Sequence, residues 1–417
     1  MNPNALVSTI SDSIRWLSAS CLPNPTLYIN RRSFKVIKLL GEGGFSLVYL
    51  VQDVATGRLY ALKKIRCPFG SEGVREAMKE ADMYRTFQHE NLIKVVDTCV
   101  VSDKDGSKVV YIFLPYFKRG NLLDAISANL LHHTHFSEPD MLRFFRGMCY
   151  AVRALHCHQL PNVPMSSREQ DEHSANGIEA WESRDRRRST PPSLRRQTSS
   201  MSYVAPGSEN GTGLVDLGPS SPNSAEAPTG PTSGETNEES SGENGGGNED
   251  AVVVVPFAHR DIKPANVMIA DDGQTPVLMD FGSMARARVK IQTRQQALYE
   301  QDLAAEQCSM PFRAPELFDV KTGTTLDEKV DIWSLGCTLY AMAYGTSPFE
   351  TNQINQGGSM ALAVLNGNFR FPTVDRGDRY SSEFRDLVKA MVLVDPTARL
   401  DIHQVIERVD QLLDRSM

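Results

Sequence analysis

The chain has 417 residues, 41% hydrophobic and 23% charged, enough apolar material for a real core and length for two or three average domains. A formal net charge of −7 excludes the basic footprint of a nucleic-acid binder, and the seven scattered cysteines, without CxxC pairs or a Cys/His cluster, read as reduced thiols. No apolar run reaches the roughly 18 residues of a membrane span, and Met1 to Ser20 lacks the basic start of a secretory leader, so the cytosol or the cytosolic face of a membrane is the expected compartment.

Residues 1–33 read as an N-terminal extension with Pro23 and Pro25 near its end. From Phe34 the pattern is strand-like: FKVIKLL, LVYLVQD and RLYALKKI, separated by GEGG and ATG. A charged stretch from Val74 to Phe87 sets Val74, Ala77, Ala81 and Tyr84 at helical spacing. Two further apolar runs, LIKVVDTCVV and KVVYIFLPYF, flank the turn signal DKDGS. The predicted unit over residues 34–117 is a small sheet with one helix.

Residues 118–160 open a helical part, in which Ser137, Glu138 and Pro139 start a long amphipathic helix running to about His158. It resumes over residues 251–417. There VDIWSLGCTLYAMAYG anchors one helix, and the last, IHQVIERVDQLLDR, puts Ile402, Val405, Ile406, Val409, Leu412 and Leu413 on one face. No further domain is expected after it.

Between these parts, Pro161 to Asp250 is rich in Ser, Gly, Pro, Glu and Asn and poor in aliphatic residues. It carries 15 acidic and 7 basic side chains, so the remainder of the chain is nearly balanced in charge. Such a stretch buries too little apolar surface to offset an ordering cost of roughly 1–2 kcal/mol per residue, and a disordered insertion is expected. Its RRRST and RRQT strings make Ser189 and Thr198 candidate phosphorylation sites, alongside the plainer reading of a solvated charged linker.

Seven strings stand out, four of them for chemistry and three for structure. LGEGGFSLV, Leu40 to Val48, is a glycine turn between strands where Gly41 and Gly43 let backbone approach phosphate oxygens; alone it is weak. YALKK follows, with Lys63 suited to hold phosphates and Glu76 or, by preference, Glu80 on the next helix suited to pair with it. HRDIKPANV, His259 to Val267, is the most specific: Asp261 to accept or orient a hydroxyl proton, Lys263 to neutralise charge on a moving phosphoryl group, Asn266 to bind magnesium through its amide oxygen. LMDFGS adds Asp280 as a second magnesium ligand, with Phe281 as a buried gate. RAPE, DIWSLG and DPTARL supply structural roles: a Glu316–Arg399 ion pair, and Asp331 bonding the backbone of the HRD loop.

In this order, the strings resemble the eukaryotic protein kinase superfamily over about Phe34 to Asp414, the insertion apart. The resemblance implies an α+β, two-lobed kinase fold, with an antiparallel sheet plus helix in the N-lobe and a mainly helical C-lobe. It implies ATP and Mg2+ as cofactors and protein substrates as partners, and a monomer is expected. The nucleotide site it implies comprises Leu40, Gly41, Glu42, Gly43, Gly44, Phe45, Ser46, Val48, Ala61, Lys63, Leu114, Tyr116 and Met268, with the adenine between Val48 and Ala61 above and Met268 below. Asp261, Lys263, Lys63 and Glu80 are the implied catalytic residues; Asn266 and Asp280 are the metal ligands.

Lys263 after the catalytic aspartate, and Ser309 five residues before Ala314, match the serine/threonine class, in which that hydroxyl braces the catalytic Asp and Lys. A pseudokinase scaffold usually lacks Lys63, Asp261 or Asp280, and small-molecule kinases diverge around the APE segment; all of these are intact. GEGGFSLVYLVQD, LPYFKRGNL, RQQALYEQDLAAEQCSMPFRAPELF and LGCTLYAMAYGTSPFE resemble the Numb-associated kinase group, most of all its small branch lipid-anchored to Golgi or vacuolar membranes. That resemblance implies an extra helix over Thr293 to Gln307 and a largely preformed activation segment. Asn2 in place of glycine predicts no N-myristoylation, leaving an acylated Cys21 as the candidate peripheral anchor.

Overall fold

The computed structural model describes residues 26–42, 46–67, 71–102, 106–161, 252–350, 359–372 and 379–415. Gly43, Gly44, Phe45, Cys21, Ser189 and Thr198 lie outside the described residues, as does segment 162–251 of the inserted stretch.

Six antiparallel strands in the order β1-β2-β3-β4-β6-β5 form the N-terminal sheet. They are β1 (Thr26–Ile29), β2 (Arg32–Glu42), β3 (Ser46–Asp53), β4 (Leu59–Cys67), β5 (Asp97–Ser102) and β6 (Lys108–Pro115). The sheet therefore starts at Thr26, before the expected boundary at 34. The short TLYI strand turns back through Asn30 and Arg31, both at positive φ (50° and 59°), so that Ile29 pairs with Arg32. Consecutive left-handed residues suit a two-residue hairpin, and here Asn30 is the turn's one composition signal, with Arg31 where a glycine is usual. LIKVVDTCVV is likewise only partly strand, since β5 begins at Asp97 and Leu92 makes an isolated bridge to Leu278.

β6 is apolar at successive positions because both of its faces are covered. Val110, Ile112 and Leu114 join the large core that continues into the helical lobe, and Val109, Tyr111 and Phe113 join a smaller cluster with Phe34 and Leu62. Helix α1 (Ser71–Thr86) lies on the first of these faces, burying Ala77, Ala81 and Tyr84.

The second lobe is built on helices. α2 (Leu122–Leu131) starts with a capping box between Asn121 and Asp124, and α3 (Glu138–His156) is capped by Ser137 with Pro139 in its first turn. After α3, β7 (Gln159–Pro161) pairs antiparallel with β8 (Val252–Val254), which brings the two ends of segment 162–251 together. Then come β9 (Phe257–Ala258), β10 (Val267–Ile269), β11 (Pro276–Leu278), β12 (Ala285–Arg286), β13 (Val289–Lys290), α4 (Arg294–Gln307) and β14 (Thr325–Leu326).

Helix α5 (Lys329–Tyr344) is buried continuously from Val330 to Ala343, as befits a helix apolar on all sides. Gly336 is where α7 (Ser382–Met391) comes closest: a Cβ there would stand 2.8 Å from the Cβ of Met391. α6 (Met360–Leu365) is short, and α8 (Ile402–Arg415) packs on α3 with the six apolar residues expected from its periodicity all buried.

Candidate active site

Lys63 stands in the middle of β4, cross-strand from Val48 on β3 and Ile112 on β6. Its ammonium donates to both oxygens of Glu80 on α1, at 2.7 and 2.9 Å, and to Asp280 Oδ1 at 3.2 Å. Of the two candidate carboxylates, Glu80 is buried and pointed at the lysine, whereas Glu76, one turn earlier on the helix, is exposed. Burial works against the charge of Lys63, but the Glu80 and Asp280 carboxylates outweigh it and raise the pKa above that of an ordinary lysine. For Asp280, burial pushes upward, and the ammonium of Lys63 holds the carboxyl below its usual value.

The HRD loop is suspended from helix α5. Asp331, with no exposed surface, accepts the backbone N–H groups of His259 (2.7 Å) and Arg260 (2.8 Å), and its Oδ2 lies 3.0 Å from His156 Nε2. Arg260 takes a positive φ of 67°, a strained conformation for a residue with a side chain, held by these bonds. His259 Nε2 faces the Met279 carbonyl at 3.0 Å while its Nδ1 faces the N–H of Asp261, so the ring proton sits on Nε2. His259 thereby spans the HRD and DFG segments.

Asp261 accepts three hydrogen bonds. Its Oδ1 accepts the Ser309 N–H at 2.8 Å; its Oδ2 accepts Lys263 Nζ at 2.7 Å and Asn266 Nδ2 at 3.0 Å. Lys263 Nζ also donates to Ser309 Oγ at 2.6 Å, which joins the loop to the segment ahead of RAPE. Asn266 spends both of its described donor contacts on Asp261, so its carbonyl oxygen is the end available to a cation. The Met279 N–H donates to the backbone carbonyl of Asn266 at 2.9 Å, leaving the side-chain amide oxygen untouched, so Asn266 and Asp280 come from adjoining strands of chain.

Asp280 is left-handed (φ 68°), and Phe281 after it is 1% exposed. The donor set suits magnesium, which favours oxygen ligands, keeps waters and relies on substrate phosphates rather than an all-protein cage. The proposed nucleotide-facing residues Val48, Ala61, Tyr116 and Met268 are half-buried, Leu114 is buried, and Leu40 and Glu42 are exposed on the β2–β3 hairpin with Gly41 opposite Val48.

Residues not singled out from sequence complete the site. Arg260 reaches Glu300 on α4, His156 backs Asp331, and Tyr84 bonds Glu80. For Tyr84 a signal was available: it lies four residues after Glu80, the spacing of neighbours on one helix face. α4 itself falls where the resemblance implied an extra helix, opening at Thr293, whose side chain accepts the N–H of Gln296.

The protein kinase domain family matches residues 34–161 and 254–409. Serine/threonine-protein kinase ppk13 of Schizosaccharomyces pombe is 33% identical over 399 residues, covering 96% of each chain. Serine/threonine-protein kinase ENV7 of Saccharomyces cerevisiae is 33% identical over 397 residues, with 93% of this chain and 94% of the relative covered. Serine/threonine-protein kinase 16 of Homo sapiens is 30% identical over 387 residues, with 93% and 92% covered.

Proposed function

The chain belongs to the protein kinase family, as a serine/threonine kinase, and from that premise we propose how its residues divide the transfer of the γ-phosphoryl group of ATP to a protein hydroxyl. Asp261 orients the hydroxyl and takes its proton, Lys263 offsets charge on the moving phosphoryl group, and Lys63, steadied by Glu80, holds the nucleotide's phosphates. Asn266 and Asp280 hold magnesium, which when bound neutralises phosphate charge. The observation that carries this reading is the convergence of Lys63, Glu80 and Asp280, from β4, α1 and the loop after β11, within 3.2 Å of one ammonium group.

The test is transfer from radiolabelled ATP to a generic basic protein in magnesium buffer. Asp261→Asn should lower kcat by on the order of 10²–10⁴ while nucleotide binding persists. Wild-type protein that neither binds nucleotide nor transfers phosphate would overturn the reading.

Among the described residues no helix is long and apolar enough to cross a membrane. For attachment to Golgi or vacuolar membranes, the proposal is a thioester-linked acyl chain on Cys21. A single chain anchors weakly and reversibly. Hydroxylamine treatment of a membrane fraction should release the protein; retention would remove the acyl anchor.

A further inference from the structure

One face of α3 ends at a cavity. Tyr150, Arg153, Ala154 and Cys157 follow the three- and four-residue spacing of a single helix face, with Cys157 as the C-cap. Together with His89, from the turn after α1, and His403, the second residue of α8, they line a volume of about 400 Å³. None of the residues assigned to phosphoryl transfer lines it.

Two pairs of side chains give this cavity its chemistry. In the first, Cys157 Sγ lies 3.3 Å from His403 Nε2, a thiol within reach of a base. Among the described cysteines only Cys157 and Cys99 are partly exposed; Cys67, Cys149, Cys308 and Cys337 are buried. Burial raises the pKa of the Cys157 thiol, with Arg153 pulling the other way, so the resting sulfur keeps its proton and needs a base when it attacks.

The second pair is Arg153 and His89. The Arg153 guanidinium lies over the Tyr150 ring at 4.8 Å and has no carboxylate partner among the described residues. His89 Nδ1 accepts the N–H of Asn91 at 3.1 Å, so the ring proton sits on Nε2, for which the described residues supply no acceptor. A spare cation and a spare donor beside a nucleophile suit a ligand that carries carboxylates.

We propose that Cys157 is a site of thiol–disulfide exchange, and that the cavity takes glutathione disulfide with its carboxylates on Arg153 and His89. His403 Nε2 takes the thiol proton as Cys157 Sγ attacks one sulfur of the disulfide. A bond forms between Sγ and that sulfur, the disulfide's own S–S bond breaks, and the departing thiolate takes the proton from His403. The products are a mixed disulfide at Cys157 and one reduced glutathione. The protein thiol is oxidised and the leaving half reduced, so no further oxidant enters.

The test incubates the full chain with glutathione disulfide and follows each thiol by peptide mass spectrometry. Cys157 should react on the order of ten-fold faster than Cys99, and His403→Ala should erase that lead without changing Cys99. Arg153→Met should slow exchange with glutathione disulfide roughly five-fold, leave exchange with the uncharged bis(2-hydroxyethyl) disulfide unaltered, and be rescued by Arg153→Lys. Buried Cys149 stays unlabelled in any variant that keeps its fold, which separates loss of chemistry from loss of structure. Cys157 reacting no faster than Cys99, or at the same rate without His403, overturns the proposal. Equal slowing of both disulfides by Arg153→Met overturns glutathione as the partner.

Discussion

Arg260 and Glu300 form a nearly buried ion pair, Nη1 to Oε2 at 3.0 Å with side chains 5% and 12% exposed, that ties the HRD loop to helix α4 of the activation segment. The arginine adjoins the proposed base Asp261, and its counter-charge is built into the chain. No phosphate need be added to satisfy it.

From this pair follows an expectation about activation. Enzyme stripped of phosphate by a phosphatase should retain its kcat, because Glu300 already holds Arg260. Glu300→Gln should cost about ten-fold in kcat, less than the full ~3–5 kcal/mol of breaking a buried pair, since Asp331 still holds the backbone of the loop. A phosphatase-treated wild type with little activity would contradict this.

Metal dependence should track Asp280. A chelator is expected to abolish transfer and added magnesium to restore it. Asp280→Asn keeps an oxygen but loses the charge, so the magnesium concentration for half-maximal rate should rise by an order of magnitude or more, read from a metal titration at fixed ATP. An unchanged titration curve would remove Asp280 from the metal site.

Stability should depend on Arg399. Its guanidinium, with no exposed side-chain surface, donates to Glu316 at 2.7 and 3.0 Å, to the Leu393 and Lys329 carbonyls, and lies over Trp333 at 5.3 Å. Glu316→Ala strands this charge and should destabilise the fold by ~3–5 kcal/mol, whereas pairing Glu316→Ala with Arg399→Met should recover part of the loss. Denaturant unfolding of the single and double variants measures both. Equal losses in the two would deny that the stranded charge is the cause.

Residues 162–251 should be dispensable for catalysis. Pro161 and Val252 are directly opposed across the β7–β8 ribbon, so a two-residue Asn-Gly turn can replace the whole stretch. The shortened protein should keep kcat and KM close to those of the full chain, because the β7–β8 pairing holds residues 161 and 252 together without the segment. Failure to fold would mean that the segment contributes to the core.

Much of this protein is written locally. The apolar stripe from Ile402 to Leu413 is legible because periodicity acts within a few residues, whereas the strings around Lys63, Asp261 and Asp280 and the helix opening at Thr293 are legible through the family resemblance they carry. The choice of Glu80 over Glu76 also came from spacing. What tertiary structure alone decided are partnerships between distant segments: Arg260 with Glu300, Phe281 with Tyr84, His156 with Asp331. The β1 hairpin escaped notice for a related reason, since Asn30 and Arg31 adopt left-handed geometry that the sheet, more than their own preference, imposes. Local sequence sets which segments form and what chemistry they carry. Burial, which depends on how those segments stack, determines which side chains meet.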